Sequence, residues 1–139
     1  MPDLTAHHYG ITVADLDRAV DFYTETFDLD VLDRFEVAGE AFSEAVAVDD
    51  ATGSFAHLDA GDARVELVEY DPEGDVRTPG TVNQPGAKHL GLAVSDLDGF
   101  HGSLPEDVET LSEPRTTESG TRILFLRDPE GNLVEVVEA

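Results

Sequence analysis

The chain has no cysteine. Disulfides, thiolate metal sites and cysteine nucleophiles are excluded at once. It is also short of cations, with 8 Lys and Arg (Lys88 the sole lysine) against 31 Asp and Glu and a net charge of −23. Phosphate backbones and anionic membranes require clustered Arg and Lys, so neither nucleic acid nor membrane is expected as a partner. No apolar run approaches the roughly 18 residues of a membrane-spanning helix. The opening MPDLTAHHYG lacks the basic stretch and apolar run of a secretory leader. A cytoplasmic protein is the expectation.

The acids that are present are dispersed, which reads as a solvated skin and not as a disordered tail. Apolar residues make up 40% of 139, enough for one compact domain or two small modules sharing a core. A skin of one sign repels itself in dilute buffer and is screened in strong salt. In this the chain resembles proteins of salt-loving microbes, and a melting temperature that rises with salt is expected.

The chain also repeats itself. HYGITVADLD, from His8 to Asp17, returns as HLGLAVSDLD, from His89 to Asp98, at an offset of 81 residues. His, Gly, Val, Asp, Leu and Asp recur in place. RVELVEY (Arg64 to Tyr70) likewise resembles the closing LVEVVEA, which matches Glu66 with Glu135 and Glu69 with Glu138. Duplication of one unit is the reading. The shorter second spacing places the lost residues in loops, where length changes cost little.

Each copy reads as βαβββ. In the first, a strand over 5–13 leads to a helix capped by Asp15 and running to about Phe27, with Leu16, Ala19, Val20, Tyr23 and Phe27 on one face. Strands are expected near 31–37, 42–48, 54–58 and 63–70, some of them segments of one bent strand, with Gly53 and DAGD (59–62) as turns. The second copy is expected to hold a strand over 87–94, a helix over 96–104, and strands near 108–113, 121–127 and 133–138. DPEGN (128–132) makes a tight turn in which Gly131 takes positive φ. The modules are thus residues 1–72 and 87–139, joined by a Pro- and Gly-rich linker over 73–86, together one domain over about 5–138.

Strand residues two apart share a face. His8, Gly10 and Thr12 then lie on one face, with Tyr9, Ile11 and Val13 under the helix. His89, Gly91 and Ala93 repeat the pattern. Glu66 and Glu135 fall opposite Val65/Leu67 and Val134/Val136, on the same face as the histidines. Glu69 and Glu138 face away. A lone histidine at a strand start is usually exposed or satisfied by a neighbour, and a lone glutamate is usually solvated. Recurrence of both types raises the other reading, two imidazoles and two carboxylates around a divalent cation with open positions. His7, His57 and His101 have no counterpart; His101 reads as surface, and His57, on an expected strand, reads as structural, with lining of the pocket as the alternative. Arg64 reads as a surface ion-pair partner.

With these marks (His8 to Leu32, RVELVEY, KHLGLAVSDLD and RDPEGNLVEVVE) the chain resembles the vicinal oxygen chelate family over essentially its whole length. That family includes glyoxalase I, methylmalonyl-CoA epimerase, extradiol dioxygenases, and fosfomycin and bleomycin resistance proteins. The resemblance implies an α+β fold of tandem βαβββ modules whose cupped mixed sheet surrounds one metal, Zn, Ni, Co, Mn or Fe. By position it implies His8, Glu66, His89 and Glu135 as ligands, a set most similar to bacterial-type glyoxalase I. Between Val31 and His57 the chain departs from the glyoxalase I pattern, so a thiol-linked substrate is not implied.

The expected activity is that of a lyase or isomerase of glyoxalase I type. The metal stabilises an enediolate of a small vicinal-oxygen substrate, and Glu135 or Glu66 acts as base; the resemblance favours Glu135. An epimerase or an Fe(II) extradiol dioxygenase is the alternative, and a non-catalytic small-molecule binding protein the third. A homodimer is implied.

Overall fold

The recurring Asp-Leu-Asp is a helix start. In the computed structural model, which describes residues 3–77 and 80–139, the Asp15 carboxylate accepts from the Arg18 N–H at 3.1 Å. It thereby satisfies a donor that a helix start leaves without an intrahelical partner. Asp96 accepts likewise from the Gly99 N–H at 3.0 Å. The leucine that follows each cap is buried, and the second aspartate pairs with an arginine, Asp17 with Arg34 and Asp98 with Arg122. The chain divides into two units, Met1–Val76 and Arg77–Ala139.

In the first unit the helix α1 (Leu16–Phe27) buries Leu16, Ala19, Val20 and Tyr23, the i, i+3, i+4, i+7 stripe of an amphipathic helix. Its sheet comprises β1 (His8–Thr12), β2 (Val31–Ala38), β3 (Thr52–Asp59) and β4 (Arg64–Asp71), ordered β1-β4-β3-β2. β1 runs parallel to β4, and the other pairs are antiparallel. α1 packs on β3 and β4, over a face where Ala56, Leu58, Val65 and Leu67 are fully buried. The β3–β4 hairpin closes through Ala60 N–H to Ala63 O, with Gly61 at φ 89°.

The strand expected near 42–48 is instead a helix, α2 (Glu40–Val46). Gly39, at φ 103°, turns the chain out of β2, a conformation that glycine tolerates. Glu40, Ala41, Glu44 and Ala45 then favour a helix. No residue of α2 is buried. It is held by the Phe42 ring, 6.1 Å from Phe55 and 6.2 Å from Tyr70, and by Ser43 Oγ, which accepts from Ala51 N–H at 3.0 Å. The βαβββ order stands, with α2 inserted between its second and third strands.

The second unit contains β5 (His89–Val94), α3 (Leu97–Gly102), β6 (Arg115–Thr116), β7 (Arg122–Arg127) and β8 (Leu133–Glu138), ordered β5-β8-β7-β6. β5 and β8 are parallel. The strand expected near 108–113 does not form. The backbone of that segment meets β7 through one bridge, Thr110 with Leu126, and two flanking hydrogen bonds, Leu111 N–H to Phe125 O and Arg127 N–H to Glu109 O, and the Glu109 carboxylate also pairs with Arg127. Pro105 and Pro114 bracket it and supply no N–H to extend a ladder, so β6 begins only after Pro114. The 128–132 turn forms as expected: Asp128 Oδ1 accepts from the N–H groups of Glu130 and Asn132, and Gly131 takes φ 85°.

Candidate metal-binding residues

Register decides which side chains meet. Gly10 stands opposite Glu66 across β1–β4, and Gly91 opposite Glu135 across β5–β8. Paired positions share a face. The histidine two residues before each glycine shares it too, and the glycine leaves room between. In the first unit His8 Nε2 lies 3.5 Å from Glu66 Oε1; in the second His89 Nε2 lies 3.3 Å from Glu135 Oε1. Both imidazoles are partly exposed, at 38% and 42% of the side chain, while the carboxylates are more covered, at 15% and 22%. The His8 ring is further fixed by His7, whose Nδ1 lies 2.7 Å from His8 Nδ1, so Nε2 is the nitrogen turned to Glu66.

His57 is the residue that sequence reasoning missed. It stands opposite Glu66 across β3–β4, and its Nε2 lies 2.7 Å from Glu66 Oε2. Among the described residues Arg64 forms no ion pair such as was expected of it; its Nη1 lies 3.2 Å from His57 Nδ1. The signal was available. A hairpin closed at Ala60 and Ala63 brings residues three steps back on each side, His57 and Glu66, face to face.

Aromatic rings share this face of the first unit. Phe35 stacks on Phe55 with centroids 5.2 Å apart and planes at 9°, and meets His57 edge-on at 5.2 Å. Tyr70 lies beyond, two positions past Val68 on the same strand face, and Phe42 stacks on it. Burial, and then the Glu66 charge, raise the Tyr70 phenol above its ordinary value; both disfavour a phenolate. In the second unit Phe125 packs edge-on against His89 at 5.1 Å. Glu69 pairs with Ser54 on the opposite face, and the Glu138 carboxylate accepts from Leu97 N–H at the start of α3. His101 lies in the last turn of α3.

The donors suit a cation of the Zn, Ni, Co, Mn or Fe type, for which imidazole nitrogen and carboxylate oxygen are ordinary ligands. Two atoms each about 2.1 Å from one cation lie about 3.0 Å apart in octahedral and about 3.4 Å apart in tetrahedral coordination. The 3.5 and 3.3 Å separations within the two pairs match that spacing. Among the described residues no group of three or more His, Asp or Glu is arranged to hold a metal, so the fit is that of two His–Glu pairs, one per unit.

Comparisons with known proteins agree with this arrangement of strands. Residues 5–136 match the sequence profile of the Glyoxalase/Bleomycin resistance protein/Dioxygenase superfamily. A 2-epi-5-epi-valiolone epimerase of an Actinomyces species is 29% identical over 144 aligned positions, covering 96% of this chain and 79% of that protein. A crystal structure of a glyoxalase family protein from Bacillus cereus superposes with a TM-score of 0.86 at 24% identity, covering 99% of this chain and 95% of the other. The trypanothione-dependent glyoxalase I of Leishmania major superposes with a TM-score of 0.67 at 26% identity, covering 98% and 87%.

Proposed function

Because the chain belongs to the Glyoxalase/Bleomycin resistance protein/Dioxygenase superfamily, we propose that it is a divalent-metal-dependent isomerase that moves a proton at a carbon next to a carbonyl. His8, Glu66, His89 and Glu135 are the ligands in this reading. The observation that carries it is the recurrence of one His–Glu pair in each unit, with donor atoms 3.5 and 3.3 Å apart.

When bound, the cation supplies Lewis-acid polarisation of adjacent substrate oxygens. In this reading the imidazoles of His8 and His89 would hold it. Glu135 takes the proton from the activated carbon and returns it. Return to the other face of the same carbon is epimerisation; return to the neighbouring carbon is the glyoxalase I outcome. A relative named as an epimerase and a structural neighbour named as a glyoxalase I both support proton transfer of this kind. The substrate is a small molecule, and the protein works as a homodimer in the cytoplasm.

The test begins with elemental analysis of purified protein before and after a chelator. The protein is then incubated in deuterated water with 2-epi-5-epi-valiolone, and with methylglyoxal plus a panel of thiols. Stoichiometric metal, and metal-dependent exchange of a carbon-bound proton for deuterium, are expected. Absence of metal uptake, or oxygen consumption with a catechol in place of exchange, overturns the reading.

A further inference from the structure

The two units differ in the residue that stands opposite each proposed glutamate ligand. His57 stands opposite Glu66; at the equivalent place in the second unit, Phe125 stands opposite Glu135. His57 is 7% exposed, and a buried imidazole needs partners for both nitrogens. It has them in Arg64 and Glu66. A guanidinium has donors and no acceptor, so Arg64 donates to Nδ1. Nδ1 is then the unprotonated nitrogen, and Nε2–H donates to Glu66 Oε2 at 2.7 Å. A phenyl ring offers no such donor. Among the described residues the carboxylate of Glu135 has only His89 as a polar side-chain neighbour.

Resting on the reading above, we propose that His57, locked by Arg64, is a positioning residue. Its Nε2–H clamps Oε2 of Glu66, so that Oε1 alone is presented beside His8 Nε2 as a cation ligand. Glu135, with no clamp, keeps its second oxygen for the proton. The two copies of one unit thus do different work: the first fixes its carboxylate, the second leaves its carboxylate free to turn. Hydrogen-bond partners of metal ligands orient them, and their loss lowers metal affinity by about 10–100-fold.

The experiment compares the apo forms of the wild-type protein, His57→Phe and His57→Gln. Phenylalanine copies the second unit; the glutamine amide restores an N–H close to the place of Nε2. Zn(II) and Co(II) are titrated calorimetrically, and the visible spectrum of the Co(II) form is recorded. His57→Phe is expected to bind about 10–100-fold more weakly with a changed Co(II) spectrum, and His57→Gln to recover both. If His57→Phe lowers the melting temperature but binds Co(II) as the wild type does, His57 only fills the core and the proposal falls alone. If the wild-type protein binds neither metal, the proposed function falls and takes this inference with it. Should His57→Phe not fold, nitrogen NMR of the wild-type apo protein decides: an Nε2–H tautomer of His57 is required, and an Nδ1–H tautomer overturns the clamp.

Discussion

Gly10 and Glu66 face each other across the parallel pair β1–β4, and the space above Gly10 is bounded by the Glu66 carboxylate and the His8 ring. A Cβ added at Gly10 would lie 3.8 Å from Glu66 Oε1 and 3.9 Å from His8 Cδ2, an ordinary contact. Gly10→Ala should therefore bind metal much as the wild type does. Gly10→Leu fills the gap between the two donors, and its affinity for Zn(II) should fall by about tenfold or more. Calorimetric titration of both variants checks this.

Glu135→Gln keeps the shape of the side chain and removes the base. Turnover should drop by about 10²–10⁴-fold, with KM changed little. The protein should retain metal through its remaining ligands. Steady-state kinetics paired with elemental analysis of the same preparation separates loss of base from loss of metal.

Tyr70 titrates above the ordinary value of 10, first because it is desolvated and second because Glu66 is near. The folded protein therefore holds this proton longer than the unfolded chain. The resulting stability is whole below pH 10 and is lost as pH rises from there through the folded value. Phenolate absorbance of the wild type and Glu66→Gln over the alkaline range tests the cause. The glutamine variant should move Tyr70 back towards 10.

Thirty-one acids against 8 cations make self-repulsion a steady cost of compactness. Raising KCl from tens of millimolar to molar should raise the melting temperature, and most of the gain should come early, where the Debye length shortens fastest. A flat melting curve across that range would remove the reason for reading the acidic skin as a salt adaptation.

The caps predict small, local costs. Asp15→Ala and Asp96→Ala each remove a carboxylate that accepts from a helix N–H, and each should cost about 1 kcal/mol in urea unfolding. Asn at either position should restore most of it.

The faces of His8, Glu66, His89 and Glu135 were legible because strand side chains alternate strictly, so parity counted from a buried neighbour suffices. The partner of Glu66 was harder to see. Finding His57 requires the hairpin register, which parity does not give, although the turn at Gly61 would have centred it. The 42–48 segment was misread because a short apolar run has no period of its own. Phe42 and Val48 suit a strand as well as a helix until Phe55 and Tyr70 supply a surface for the Phe42 ring. The 108–113 segment carries strand-forming residues, but the prolines on either side of it, Pro105 and Pro114, carry no N–H to extend a ladder, and the strand pattern was read without them.

The helix α2 buries no residue fully and is tied to the sheet through the Phe42 ring and the Ser43 hydroxyl. Its amides should therefore be among the first in the first unit to exchange with solvent deuterium, well ahead of those in β3 and β4. Each such opening would briefly bare the rings of Phe55 and Tyr70 on the strand face that carries Glu66.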